Sequence, residues 1–202
     1  MSVWVQAALA LIAVATVSRL LGDLPNKHFL ALATGCFFYV HPAPMTFGLA
    51  ALIFWDQVHN SGDNDRFMFL PTLGGALLTS FVSLPLRESM LTVTTAQSGT
   101  SLATGLSWAE SLRACLAIPL LEQYCLAIVL ASLLKKGWTE RYALLTAALL
   151  FALLQGHPGA MMTRALAGCV YGWLYLRHGF WSAVTAHGLS SAWTLLVTLW
   201  LG

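Results

Sequence analysis

Glu122 is the residue in this chain whose position most needs a chemical reason. It sits in the run Leu116-Ala117-Ile118-Pro119-Leu120-Leu121-Glu122-Gln123-Tyr124-Cys125, with no Lys or Arg within one helical turn. A charged group at the centre of a membrane span costs about 2.5–3.5 kcal/mol on insertion scales, so an ionisable residue there marks a functional site by default. Three histidines are its candidate partners: His157 after Phe151-Ala152-Leu153-Leu154-Gln155-Gly156, His187 in Ala186-His187-Gly188-Leu189-Ser190-Ser191, and His41 beside a Pro pair. Glu plus His in a dry pocket can hold a water and take its proton. A second His with a hydroxyl at i+4, the spacing of His187 and Ser191, can donate to a developing oxyanion. The chemistry is hydrolysis of a peptide with no required cofactor. Zinc is the rival, since Glu and two His are legitimate ligands, although the chain has no H-E-x-x-H.

The elements that must carry these groups are membrane helices. Apolar residues make up 58% of the 202 and charged residues 9%. A soluble domain carries about 25% charged residues, so this chain cannot coat itself for water. The net charge of +2 and the lack of a basic tail argue against nucleic acid. Apolar length, broken by charge, Pro and Gly, predicts spans near 2–18, 28–40, 45–57, 67–86, 109–134, 141–156, 160–176 and 180–201. The break in 28–57 is His41-Pro42-Ala43-Pro44, where proline disfavours helix. No Lys or Arg precedes the run Val3 to Val17, so it reads as a helix rather than a cleaved signal. The expectation is an all-α, polytopic membrane protein, a bundle of about eight transmembrane or intramembrane helices forming one domain over 1–202. Cys36, Cys115, Cys125 and Cys169 lie in apolar runs without a C-x-x-C pair and read as packing residues.

Lys135, Lys136 and Arg141 flank one short turn. Placing it in the cytoplasm by the positive-inside rule brings Arg177 to the same side. Counting back, Arg66 is inside too; if 28–57 is a hairpin, Arg19 and Lys27 join them, and both termini are non-cytoplasmic. At 1.5 Å per residue from the cytoplasmic helix ends, Glu122 lies about 19 Å deep, His157 about 24 Å and His187 about 15 Å. One middle slab therefore holds all three. Arg164, early in its span, is expected to face inward towards Gln155, Glu122 or a substrate carboxylate; the alternative is an Arg snorkelling at the interface.

From about Ala109 onward the chain resembles the CPBP family, the CAAX-protease and bacteriocin-processing glutamic intramembrane proteases. Three blocks carry the resemblance: Leu121-Glu122-Gln123-Tyr124, then Phe151-Ala152-Leu153-Leu154 running into His157, then Tyr171-Gly172-Trp173-Leu174-Tyr175-Leu176-Arg177-His178-Gly179-Phe180-Trp181 leading to Ala186-His187. The family pattern is Glu-Glu-x-x-x-Arg, Phe-x-x-x-His and His-x-x-x-Asn. Here Gln123 replaces the second Glu, Ala127 the Arg, and Ser191 the Asn; four residues after Phe151 stands Gln155, with His157 two further on. The resemblance implies that Glu122 and His157 activate water while His187 and Ser191 bind the oxyanion, with Gln123, Arg164 and Gln155 in support and no metal. It divides the domain into variable helices over 1–108 and catalytic core helices over 109–202. The myxosortase-like branch, similar in size, implies a substrate with a C-terminal transmembrane anchor, removed for protein sorting from exported proteins of a bacterium. The location it implies is the inner membrane, with the lipid bilayer as partner.

Other classes use the same residues differently. A small transporter also places Glu, His and Arg in the membrane, but should show a repeated pair of broken helices, and only the break at 41–44 is present. A non-catalytic scaffold of the same fold would tolerate the substitutions at Gln123 and Ala127. A structural ion pair of Glu122 with Arg164 is the bland reading of the buried carboxylate. A thiol protease on Cys125, three residues from Glu122 on the same helix face, is a further alternative.

Overall fold

The computed structural model describes residues 50–51, 53–54, 57–58, 68–83, 111–154 and 161–201. The described residues are helical apart from turns and contain no strand. Helix α1 is Phe69–Ser83. A π-helical turn, Arg113–Ala117, leads without interruption into α2, Ile118–Lys135. Helix α3 is Glu140–Leu154 and α4 is Met161–Leu201. The expected spans at 67–86, 109–134, 141–156, 160–176 and 180–201 have counterparts here. The spans at 2–18 and 28–40, the break at His41 and the segment Arg87–Ser107 lie outside the described residues; of 45–57, only a few positions, among them Ala50 and Ile53, are described, and they are helical. The count of eight helices is thus not established.

Helix α4 has 41 residues, about 60 Å of helix against a hydrocarbon core of about 30 Å. It is broken at Gly179, whose φ of 81° and ψ of 176° are non-helical. Only glycine visits that region readily. The limbs 161–178 and 180–201 are the two expected spans, joined at the expected Arg-Gly turn. Between α2 and α3, the Gly137 N–H donates to the Leu134 carbonyl (2.9 Å) and the Trp138 N–H to the Leu133 carbonyl (3.2 Å), with Gly137 at φ 83°. This Schellman motif satisfies the last carbonyls of α2 and turns the chain into α3 within four residues.

Small residues set the helix spacing. Gly168 and Gly172, one turn apart on α4, lie against α3: a methyl at 168 would stand 3.2 Å from the Ala148 backbone, and one at 172 only 2.5 Å from a Leu144 methyl. Gly75 of α1 lies equally close beneath Leu174 of α4, at 2.6 Å. Close approach at small residues is how helices associate where lipid removes the hydrophobic drive. On α2, Leu126, Val129, Leu130 and Leu133 pack among Ala76, Ala143, Ala147, Phe151, Leu174 and Ala186.

The polarity is inverted relative to a water-soluble bundle. Phe69, Leu70, Phe81, Leu116, Met162, Leu196 and Trp200 are exposed, whereas Thr72, Thr79, Ser80, Arg113, Glu122, Gln123, His187 and Ser190 are buried. Arg113–Lys135 is long and apolar enough by itself to cross a bilayer, with mean hydropathy 1.9 over its apolar window. At one end of the bundle Arg177 donates to Glu140 (3.0 Å), an exposed pair that puts Arg177 beside the turn holding Lys135, Lys136 and Arg141. Cys115, Cys125 and Cys169 are outside any disulfide and each is half-buried rather than fully packed away.

Candidate functional site

Helices α2 and α4 bring Glu122, Gln123 and His187 into one buried line. Pro119 stands in the first turn of α2, where its missing N–H breaks no intrahelical bond. Glu122 and Gln123 follow one turn later, both buried. His187 comes from the second limb of α4, eight residues past the Gly179 break. Its Nε2 lies 3.4 Å from Glu122 Oε2, and its Nδ1 lies 2.9 Å from Gln123 Nε2.

These two contacts fix the proton on the ring. A Gln amide nitrogen only donates, so Nδ1 accepts and the imidazole carries its hydrogen on Nε2. That N–H faces Glu122. Turning the amide over would set the bare Nε2 lone pair against an ionised carboxylate, which repels. Gln123 is thus the group that makes His187 a donor towards the acid. At 3.4 Å the His–Glu contact is longer than the 2.7–2.9 Å of a tight charge-assisted bond, and it is a close approach rather than a hydrogen bond. Gln123 Oε1 has no hydrogen-bond partner among the described residues.

The packing of α4 on α2 is set next to the site. The Ile118 N–H reaches back five residues to the Arg113 carbonyl, the mark of a π turn. Gly188, the neighbour of His187, lies against the Cys115 carbonyl of that turn: a methyl there would stand 2.7 Å from the oxygen. A backbone carbonyl cannot swing aside as a side chain does, so only glycine fits. On its other side His187 stacks on Tyr171, with ring centroids 4.6 Å apart and planes inclined by 18°.

Of the residues expected at the site, Glu122, Gln123 and His187 meet. Arg164 is half-buried in the first turn of α4, and its charge reaches His187 and Tyr171. Ser191 is half-buried; its neighbour Ser190 is the serine turned fully inward, 3.2 Å from the Ser80 hydroxyl. Gln155 and His157 lie outside the described residues, as does their approach to Glu122. Cys125 is half-buried on α2. No group of three or more His, Cys, Asp or Glu gathers among the described residues, so a zinc set built on Glu122 and His187 would need a third ligand from outside them. Sequence reasoning missed Tyr171, Thr79, Ser190, Gly188 and buried Arg113. Arg113 alone carried a signal, a cation entering an apolar run three residues after Glu110.

Residues 104–193 match the sequence model of a known family, described as type II CAAX prenyl endopeptidase Rce1-like. No curated protein and no solved structure matches the chain. The matched stretch covers the π turn, α2, α3 and most of α4, including Glu122, Gln123 and His187. The resemblance to CPBP proteases read from the sequence holds over it; the myxosortase-like branch is not singled out. That family is one of membrane-embedded proteases, and the likeness of this stretch suggests the same class of activity.

Proposed function

Taking residues 104–193 as a member of the Rce1-like family, we propose that the protein is a glutamic intramembrane endopeptidase that cuts near the C-terminal membrane anchor of an exported protein. The observation that carries this reading is the buried line from the Gln123 amide through His187 to Glu122. The Glu122 carboxylate takes a proton from a water molecule, and the water oxygen bonds to the scissile carbonyl carbon. The carbonyl oxygen becomes an oxyanion and accepts the His187 Nε2–H, a donor already aimed into the site. Glu122 then returns its proton to the leaving nitrogen as the C–N bond breaks, and the acid and amine products separate. Fixing both groups in a water-poor interior before substrate arrives supplies most of the rate.

In this reading His157 shares the water with Glu122, Ser191 adds a second oxyanion donor, and Arg164 and Gln155 hold the substrate near the cut. The protein is a multi-pass protein of a bacterial inner membrane, with the turn 135–141 in the cytoplasm and both termini outside. It needs no cofactor.

A zinc variant has one observation in its favour. Two tetrahedral donors at about 2.0–2.1 Å from one ion stand roughly 3.4 Å apart, which is the Glu122–His187 separation. In that variant the Gln123 amide turns over so that Oε1 accepts from Nδ1–H, as outer-shell partners of metal-bound His do.

The test uses the full-length protein in detergent with two probes, a fluorogenic peptide ending in an apolar anchor and basic tail, and a farnesylated CAAX peptide. Cleavage of the anchor peptide, unaffected by chelators, supports the proposal. Cleavage confined to the farnesylated peptide contradicts the substrate assignment, and loss with a chelator reversed by zinc contradicts the metal-free chemistry. Turnover of neither probe contradicts the reading as a whole.

A further inference from the structure

The His187 ring is held by a cluster of hydroxyls that the proposed chemistry does not use. Tyr171 is 2% exposed and stacked on the imidazole, and its hydroxyl reaches those of Thr79 and Ser190. The Ser190 hydroxyl lies 3.2 Å from that of Ser80. Thr79 donates its single hydrogen to the α1 carbonyls of Gly75 (2.9 Å) and Ala76 (3.1 Å), and Ser80 donates to Ala76 (2.7 Å). A hydroxyl has one hydrogen, so towards α4 both can only accept. Ser190 must therefore donate to Ser80, and Tyr171 must donate to Thr79 or Ser190. Ser190 thus points its O–H from α4 towards α1. The direction of the chain is fixed by the helix carbonyls at its end, which cannot reverse roles.

Tyr171 is thus anchored at its far end, and its ring plane is set where it meets the imidazole. A stacked ring resists rotation of its neighbour, while the Gln123 amide resists rotation about the same side chain from the edge. We infer that Tyr171 is a positioning residue for His187, oriented by Thr79 and Ser80 of α1. Helix α1 lies before the segment shared with the family, so the part of the chain that the family does not specify supplies one support of the site. The inference rests on His187 acting as the donor beside Glu122.

The experiment uses the full-length protein in detergent and two readouts. Carbethoxylation of His187 by diethyl pyrocarbonate, followed by peptide mass spectrometry, reports how well the ring is held without reference to turnover. Cleavage of the anchor peptide, resolved into kcat and KM, reports the consequence. Tyr171→Phe keeps the stack and loses the anchor: kcat should fall about 3–10-fold, the value of one hydrogen bond, with KM unchanged. Tyr171→Leu loses both, and should raise the His187 modification rate about 10-fold while kcat falls about 100-fold, the cost of misplacing a catalytic group by about 1 Å. Thr79→Val with Ser80→Ala should match Tyr171→Phe and add nothing to it when combined. Unchanged His187 modification in Tyr171→Leu, or full additivity of the α1 pair with Tyr171→Phe, overturns the inference. Glu122→Gln tests the protease reading separately: activity retained there removes that reading, while the carbethoxylation rates still judge the support of the ring.

Discussion

The protonation pattern of His187 follows from a single neighbour, and that makes Gln123 the residue to perturb. Gln123→Leu keeps the volume and removes the donor to Nδ1. The ring is then free to carry its hydrogen on either nitrogen, and kcat should fall about 10-fold with little change in KM, measured on the anchor peptide. His187→Ala should cost about 10²–10³-fold through the lost oxyanion donor. His157→Ala separates the two spacings in the second block: a loss comparable to that of His187→Ala supports His157 as the partner of Glu122, and a harmless change moves that role to the Gln155 register. Depth together with the family-like blocks pointed to Glu122 and His187 at one level of a bilayer, where two ionisable groups have few ways to be satisfied except each other. Tyr171, Thr79 and Ser190 were not legible. Hydroxyls bonded to their own helix are ordinary in membrane helices, and what distinguishes these is a contact between α1 and α4 that no local pattern encodes.

At the scale of the helices, the sites of breakage were readable and the sites of contact were not. Gly137 after Lys135-Lys136 and Gly179 after Arg177-His178 each follow a charge at the end of an apolar run, so the two turns announce themselves. The π turn at Arg113–Ala117 carries no such mark. Nor does Gly188, which looks like any glycine in a helix until the Cys115 carbonyl is seen against it. Gly188→Ala should therefore do more than a helix propensity scale suggests. Alanine is the better helix former by about 1 kcal/mol, yet forcing a methyl against a carbonyl costs about 1–3 kcal/mol. The expected outcome is a lower Tm in detergent together with reduced kcat, read by thermal denaturation and peptide cleavage. A raised Tm would show that α4 can shift away from the π turn at no cost.

For the whole molecule, composition already required a membrane protein, since so few charges cannot cover a globule of this size, and the exposed Leu, Phe and Trp against buried Glu, Gln and His agree. The side of the membrane is a separate matter, argued from Lys135, Lys136, Arg141 and Arg177 alone. Single cysteines placed at Gly137 and at Ser2, in a background with the four native cysteines replaced, should label oppositely in intact cells: an impermeant maleimide should reach position 2 and not position 137. The central claim concerns Glu122, and Glu122→Gln tests it most directly, because an amide of equal size keeps the packing and cannot take a proton. Cleavage of the anchor peptide should fall by about 10²–10⁴-fold while the Tm in detergent stays within a few degrees of the parent. Full activity in Glu122→Gln would contradict the account and turn attention to the thiol of Cys125.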